Sequence, residues 1–391
     1  MIYLDNSATT PLAPEVARRM NRWRDEASMG AGFANASSAH RGGQRARVEV
    51  EESRERIAML LGAEPKEIIF TSGGTEANNH ALKGYALREY SAHGAWPVLL
   101  TTRTEHHAVL HPAEFLARLG VQVIYLDVDA DGRLHPGLLR TALEGLEGRP
   151  RPLVSVMHAN NETGTVNPIA QLAQTAHELG AIFHTDAVQT FGKMSVRYDA
   201  LGADMVSVSA HKIHGPKGIG AIYVNKEIEL EALLHGGAQE RNRRGGTEPV
   251  ELIAGFDEAA ALAASGQAEA TERIRSLGAL LRTLLAEIEG VRFVTPLQEA
   301  LPHILNVTFN DAAALDGEAL IVGMDLEGVA VSNGSACTSG SIQPSHVLSA
   351  MGLPPAQAKA AVRFSLSRYT TEQEIRDGAA ALRRVVGRMR H

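Results

Sequence analysis

Between residues 67 and 224 the chain alternates short continuous apolar runs with stretches whose apolar residues recur at helical spacing. Runs at 67–71, 98–101, 121–126, 153–157, 181–184, 205–209 and 220–224 read as buried strands. Residues 75–90 read as a helix with Ala77, Ala81, Leu82, Tyr85 and Ala86 on one face. A second helix is predicted over 168–179, with Pro168 at its start and Gly180 just past its end. Such alternation predicts a mostly parallel sheet covered by helices, with ligands at the carboxyl ends of the strands. Beyond it the pattern changes. A long helical stretch over 252–289 precedes shorter strands and helices at 303–309, 318–326, 329–332, 362–367 and 372–389, which read as a smaller α+β unit. The boundary falls near 250–265, where the connection itself reads as helical.

Length and composition narrow the class. A chain of 391 residues favours two domains. The net charge of −7 gives no general attraction to nucleic acid or anionic membrane. No apolar stretch is long enough to span a bilayer, and the opening residues lack a basic region followed by an apolar run. A single cysteine excludes an internal disulfide and fits a reducing compartment, so a cytoplasmic location is expected.

Several segments carry candidate chemistry. Lys212 follows the strand at 205–209; desolvated at the head of a cleft, an amine there becomes a Schiff-base nucleophile. The alternative is a surface lysine. Asp186 and Gln189 stand at another strand end, where a carboxylate can keep a pyridine nitrogen protonated; a helix cap is the competing reading. Thr71-Ser72-Gly73-Gly74-Thr75 joins a strand to a helix and suits a phosphate, although many ordinary turns have such residues. His106 follows the strand at 98–101 and could stack on a flat cofactor and carry a proton, or be structural. Zinc at His106, His107, His211 and His214 is disfavoured, because ligand-spaced pairs with acidic or thiol partners are missing. Arg363 interrupts an apolar run, suiting either a substrate carboxylate or an internal ion pair. Cys337 sits in Ser332–Ser341 among small polar residues, which read as a mobile loop presenting a thiol; an incidental exposed thiol is the alternative.

Taken together, these segments resemble the cysteine desulfurases, which are fold-type I pyridoxal-phosphate (PLP) enzymes related to the class V aminotransferases. The resemblance runs nearly end to end. It starts at Tyr3-Leu4-Asp5-Asn6-Ser7 and Asn35–His40, and continues through Phe70–Glu76, Thr104-Glu105-His106 and Met157–Gly164. It then takes in Asp186-Ala187-Val188-Gln189, Ser209-Ala210-His211-Lys212, Gly236–Arg241 and Arg244–Thr247, and closes on Gly334–Ser339 and Arg363–Arg368. It implies an α/β fold with a large, mostly parallel seven-stranded-type sheet domain over 15–255. A smaller α+β domain over 1–14 plus 256–391 would carry the cysteine loop.

By resemblance, Lys212 forms the internal aldimine with PLP and Asp186 holds the pyridine nitrogen. Gln189 and Asn161 contact the ring hydroxyl, and His106 stacks on the ring and carries a proton. Gly74, Thr75, Ser209 and His211 hold the phosphate, and Thr247 reaches the phosphate of a second subunit, implying a homodimer. Arg363, assisted by Asn35, binds the carboxylate of L-cysteine. Cys337 takes the sulfur as a persulfide, for an acceptor protein such as an iron–sulfur scaffold or a sulfur relay. No metal is expected. Ala36 replaces a proline common in the family, and the chain lacks the longer tail of members that load a scaffold protein. The cysteine loop is of the long group I type. Another PLP reaction on this fold, aminotransfer or selenocysteine lysis, and a non-catalytic sulfur carrier are the alternatives.

Overall fold

The computed structural model describes residues 1–24, 33–146, 150–333 and 343–390. Cys337 lies outside the described residues. The strands are β1 (Ile2–Tyr3), β2 (Ile68–Thr71), β3 (Leu99–Thr102), β4 (Val123–Leu126), β5 (Leu153–Ser155), β6 (Ile182–Asp186), β7 (Met205–Ser209), β8 (Gly220–Val224), β9 (Val291–Phe293), β10 (Ile304–Phe309), β11 (Val329–Ala330) and β12 (Val362–Ser365). Seven of them form one sheet in the order β2-β8-β7-β6-β5-β3-β4. The pairs from β4 to β7 are parallel, whereas β8 runs against both its neighbours. The central strands are continuous apolar runs because helices cover both faces. Val154, Phe183, Val206 and Val208 lie in one core layer, with Ile69, Leu99, Ile182 and Met205 in another.

A three-stranded antiparallel sheet, β12-β10-β9, has its own core of Leu281, Leu305, Val307, Phe309, Phe364, Leu382 and Val385. The amino terminus joins this unit, since Ile2 and Tyr3 of β1 pair in parallel with Val329 and Ala330 of β11.

Several elements depart from the pattern-based expectations. The stretch 252–289 is two helices, Val250–Ser265 and Gln267–Ala286, broken at Gly266. A Cβ on Gly266 would lie 2.6 Å from the Arg368 guanidinium, so the break also admits that side chain. The helix expected over 75–90 runs from Gly74 to His93 but widens into a π-turn at His80–Gly84. The Gly84 carbonyl there accepts from Glu231 N at 3.0 Å. β5 stops at Ser155, short of the expected 157, because the Met157 amide donates to the buried Glu105 carboxyl rather than to a strand (2.9 Å). Two further helices, Pro14–Arg24 and Arg41–Leu61, pack on Val250–Ser265.

A buried ion pair locks the loop that follows β8. Arg54 bonds both carboxylate oxygens of Glu240 (2.6 and 2.8 Å) and lies 4.8 Å from the Phe70 ring centre. Glu240 also accepts the Phe70 amide at 3.0 Å. These contacts hold Glu240, Arg241 and Asn242 at φ of 47°, 57° and 65°, the left-handed region that L-residues rarely occupy. Glu240→Leu is expected to lower the urea unfolding midpoint, with a loss of about 3–5 kcal/mol, because Arg54 is left charged and buried. Adding Arg54→Met should recover most of that loss.

Candidate active site

The parallel strands deliver their last residues to one cavity of about 370 Å³. Asp186 ends β6, and Lys212 closes the single turn Ala210–Lys212 that follows β7. Gly74 opens the helix after β2, and His106 caps the helix after β3. Arg363 reaches in from β12. Gly74, Thr75, His106, Asn161, Asp186, Gln189, His211, Lys212 and Arg363 all line this space. Ser209, the last residue of β7, sits beside it: a Cβ on Gly74 would lie 3.8 Å from Ser209 Cβ and only 2.6 Å from Val188 Cγ2. A larger residue than glycine would therefore close the turn.

Lys212 Nζ donates to the carbonyls of Ser7 and Ala8, the latter at 2.7 Å. Burial, and then the positive Arg363, push the amine down to about 8. Proton loss from a neutral-ready amine is what imine formation needs. Asp186 is held rigidly: Oδ2 accepts from Asn78 Nδ2 at 2.6 Å and Oδ1 from Val188 N at 2.9 Å. Gln189 Nε2 donates to Ser7 O at 3.0 Å. His106 Nδ1 accepts from Ala108 N at 3.0 Å, which leaves Nε2 as the nitrogen available to carry a proton. Desolvation holds His106 below the ordinary imidazole value, with Asp186 opposing. His211 is pushed down to about 4, by burial and then by Lys212. Glu105, next to His106 in sequence, is fully buried and pushed up to about 8 by desolvation, so its carboxyl is largely protonated at neutral pH.

Arg363 realises both readings of it. It lines the cavity, yet it also bonds Asp5 at 2.7 Å and the Asn161 carbonyl at 2.9 Å, while its Nε is buried without a partner. The backbone of Arg363 pairs with Ser332, which also lines the cavity. The chain thus enters the segment 334–342 from the cavity wall. It returns nearby, where Ser345 donates to Glu162 at 2.5 Å and His346 bonds the Glu105 carbonyl at 2.9 Å.

Two expected residues stand elsewhere in this chain. Asn35 is exposed and caps its own turn, accepting from Ser37 N at 2.9 Å. Thr247 is exposed on the loop before Val250–Ser265 and does not line the cavity. Conversely, Asn78, the Ser7 and Ala8 carbonyls and Asp5 were not assigned roles from sequence. Asn78 had a readable signal, one helical turn beyond Gly74; the others are long-range contacts. Among the described residues, no group of three or more His, Cys, Asp or Glu could hold a metal ion.

The cavity fits PLP on its own features. An acidic group anchored from two sides stands at its floor, beside an amine held low. Ser209 Oγ and Gln189 Oε1 are buried polar atoms without hydrogen-bond partners, the kind of groups that a phosphate and a ring hydroxyl would satisfy.

The family described as Aminotransferase class-V matches residues 2–377. The chain is 43% identical over 392 residues to the cysteine desulfurase IscS of Dictyoglomus turgidum, covering all of this chain and 95% of the relative. A solved NifS-like protein superposes with a TM-score of 0.88 at 34% identity, covering 99% of each chain. A solved structure of SspA in complex with cysteine superposes at 0.79, again at 34% identity, over 95% of this chain and 100% of that one. An amine and a buttressed carboxylate at the strand ends, in a chain aligned from end to end with these relatives, identify it as a member of the class-V aminotransferase family, on its cysteine desulfurase branch.

Proposed function

We propose that this chain is a PLP-dependent enzyme that converts free L-cysteine to L-alanine and holds the sulfur as a persulfide on Cys337. The observation that carries the reading is the meeting of Lys212, Asp186 and Arg363 in one cavity, whose wall leads into the segment bearing the chain's one cysteine.

Lys212 would bind the cofactor covalently. Asp186, Gln189 and Asn161 would hold its ring, and Gly74, Thr75, Ser209 and His211 its phosphate. Bound there, PLP supplies an electron sink that acidifies the substrate Cα–H and loosens the Cβ–S bond. Arg363 orients the cysteine carboxylate through its planar fork. Lys212 would take the α-proton of the substrate, and His106, on the same cavity wall, would carry a second proton. Asn78 keeps the Asp186 carboxylate in one orientation. The Cys337 thiolate would attack the substrate sulfur, forming the S–S bond as the Cβ–S bond breaks and its electron pair passes to the carbon skeleton, which becomes alanine on protonation.

Thr247, exposed and not among the residues lining the chain's own cavity, supports a homodimer in which it serves the second copy; Asn35 would assist Arg363 in binding the substrate. The two separate cores and the β1–β11 pairing support a division into two units, proposed as 15–255 and 1–14 plus 256–391, although Ala13, Phe256, Ala259, Ala260 and Ala263 pack into the larger core. A cytoplasmic location, and delivery of sulfur to an acceptor protein in iron–sulfur or thio-cofactor synthesis, complete the proposal.

The direct test is product analysis. Cysteine should give alanine and, with a reductant, sulfide in equal amounts without any keto acid. Keto-acid-dependent transfer of the amino group would instead indicate an aminotransferase. Arg363→Ala is expected to lower kcat/KM for cysteine by on the order of 100-fold through loss of charged hydrogen bonds, with PLP retained. Steady-state kinetics alongside the cofactor's absorbance checks both.

A further inference from the structure

A second cavity, about 300 Å³, shares with the first, among the described lining residues, Lys212 alone. Helices Val250–Ser265 and Gln267–Ala286 and the turn 299–303 flank it, and it opens to solvent past Arg275 and Glu299. Its walls are mainly apolar, including Met194, Ala263, Ile274, Leu301 and Leu366. Two cationic or proton-bearing side chains line it with nothing to bond. The Lys193 ammonium nitrogen is buried without a partner. His303 is only 3% exposed, and its Nε2 is likewise unpartnered.

The remaining charged groups of the wall are already engaged. Lys212 bonds backbone carbonyls, His214 bonds Pro11 O at 2.9 Å, Arg368 bonds Leu262 O at 2.9 Å, and Arg275 pairs with Glu272 at 2.7 Å. Glu299 is the only carboxylate among the described lining residues, and it is exposed. A buried amine in an apolar chamber is costly unless a counter-charge meets it. Burial, and then Lys212, push Lys193 down to about 7. The amine therefore gives up its proton readily near neutral pH; an anion meeting it would hold it protonated, and the apolar walls offer water few partners.

We infer that this chamber is a binding site for a small hydrophobic monocarboxylate, its anionic end on Lys193 and His303 and its apolar body against Ile274, Leu301 and Leu366. The site is separate from the cysteine carboxylate site at Arg363, and it abuts Lys212 from a different cavity. Occupancy would therefore be felt at the reactive amine without displacing substrate. The binding reading stands independently of the reaction assigned to the first cavity.

Calorimetric titration of the PLP-loaded protein with phenylacetate, and separately with the neutral phenylacetamide, tests it. Saturable binding of the acid is expected, with the amide about tenfold or more weaker. Lys193→Met should weaken the acid by a similar factor while keeping the cofactor's absorbance. Ile274→Trp, which fills the apolar half, should block the acid and provides the test should Lys193→Met fail to fold. Equal binding of acid and amide would overturn the inference, as would no saturable heat. So would acid binding that survives Lys193→Met and Ile274→Trp but is lost on Arg363→Ala.

Discussion

Lys212→Ala is expected to hold PLP only by non-covalent contacts, so that dialysis removes it, and to turn over cysteine slower by on the order of 10⁴-fold or more. The loss is large because one side chain has two tasks, covalent attachment of the cofactor and removal of the α-proton. The surroundings prepare it for both. The carbonyls of Ser7 and Ala8 fix the amine in place, and burial with the nearby Arg363 brings it down to about 8. A lysine in water is protonated until far higher pH. Attack on an aldehyde needs the neutral amine, so recombination of cofactor-stripped wild-type protein with PLP should speed up as pH rises through about 8 and level off above it. Stopped-flow absorbance after mixing with PLP reads this directly.

Cys337→Ala is expected to leave cofactor content, cofactor absorbance and cysteine binding unchanged while sulfide release falls by at least about 10³-fold. It removes the chain's single thiol, so no other side chain can carry a persulfide. The thiol stands in a run of Gly, Ser, Ala and Thr that offers no apolar packing, and the segment is flanked by Ser332, which lines the cavity, and by Ser345, which bonds Glu162. Methylene-blue assay of sulfide, with alanine measured in parallel, separates a missing acceptor from a missing base. Lys212→Ala should abolish both products, whereas Cys337→Ala spares the binding and colour changes that precede sulfur transfer.

Much of the architecture was legible because the central strands are buried on both faces. A continuous apolar run such as Met205–Ser209 has few other ways to satisfy itself, and the polar residue at its end falls at the sheet's rim, where Asp186 and Ser209 are found. Breaks and interruptions were not legible. The split at Gly266 and the π-turn at His80–Gly84 answer to neighbours distant in sequence, Arg368 and Glu231, and local periodicity has no access to those. The same limit applied within the site. Lys212, Asp186 and Arg363 announce themselves by chemistry at strand ends or in an apolar run. Their supports do not: Asn78 on Asp186, Asp5 on Arg363 and two backbone carbonyls on Lys212 are contacts that only the folded chain creates. Arg363 shows how a sequence alternative can dissolve rather than be decided, since it makes the ion pair and faces the cavity at once.

The central claim concerns where the sulfur rests between its departure from cysteine and its delivery. Intact-mass and peptide mass analysis of PLP-loaded protein, quenched with an alkylating agent after one turnover of cysteine without reductant, tests it most directly. The account predicts that the peptide containing Cys337 gains the mass of one sulfur atom in step with alanine formed. Alanine formed in full with Cys337 left as an unmodified thiol would contradict it.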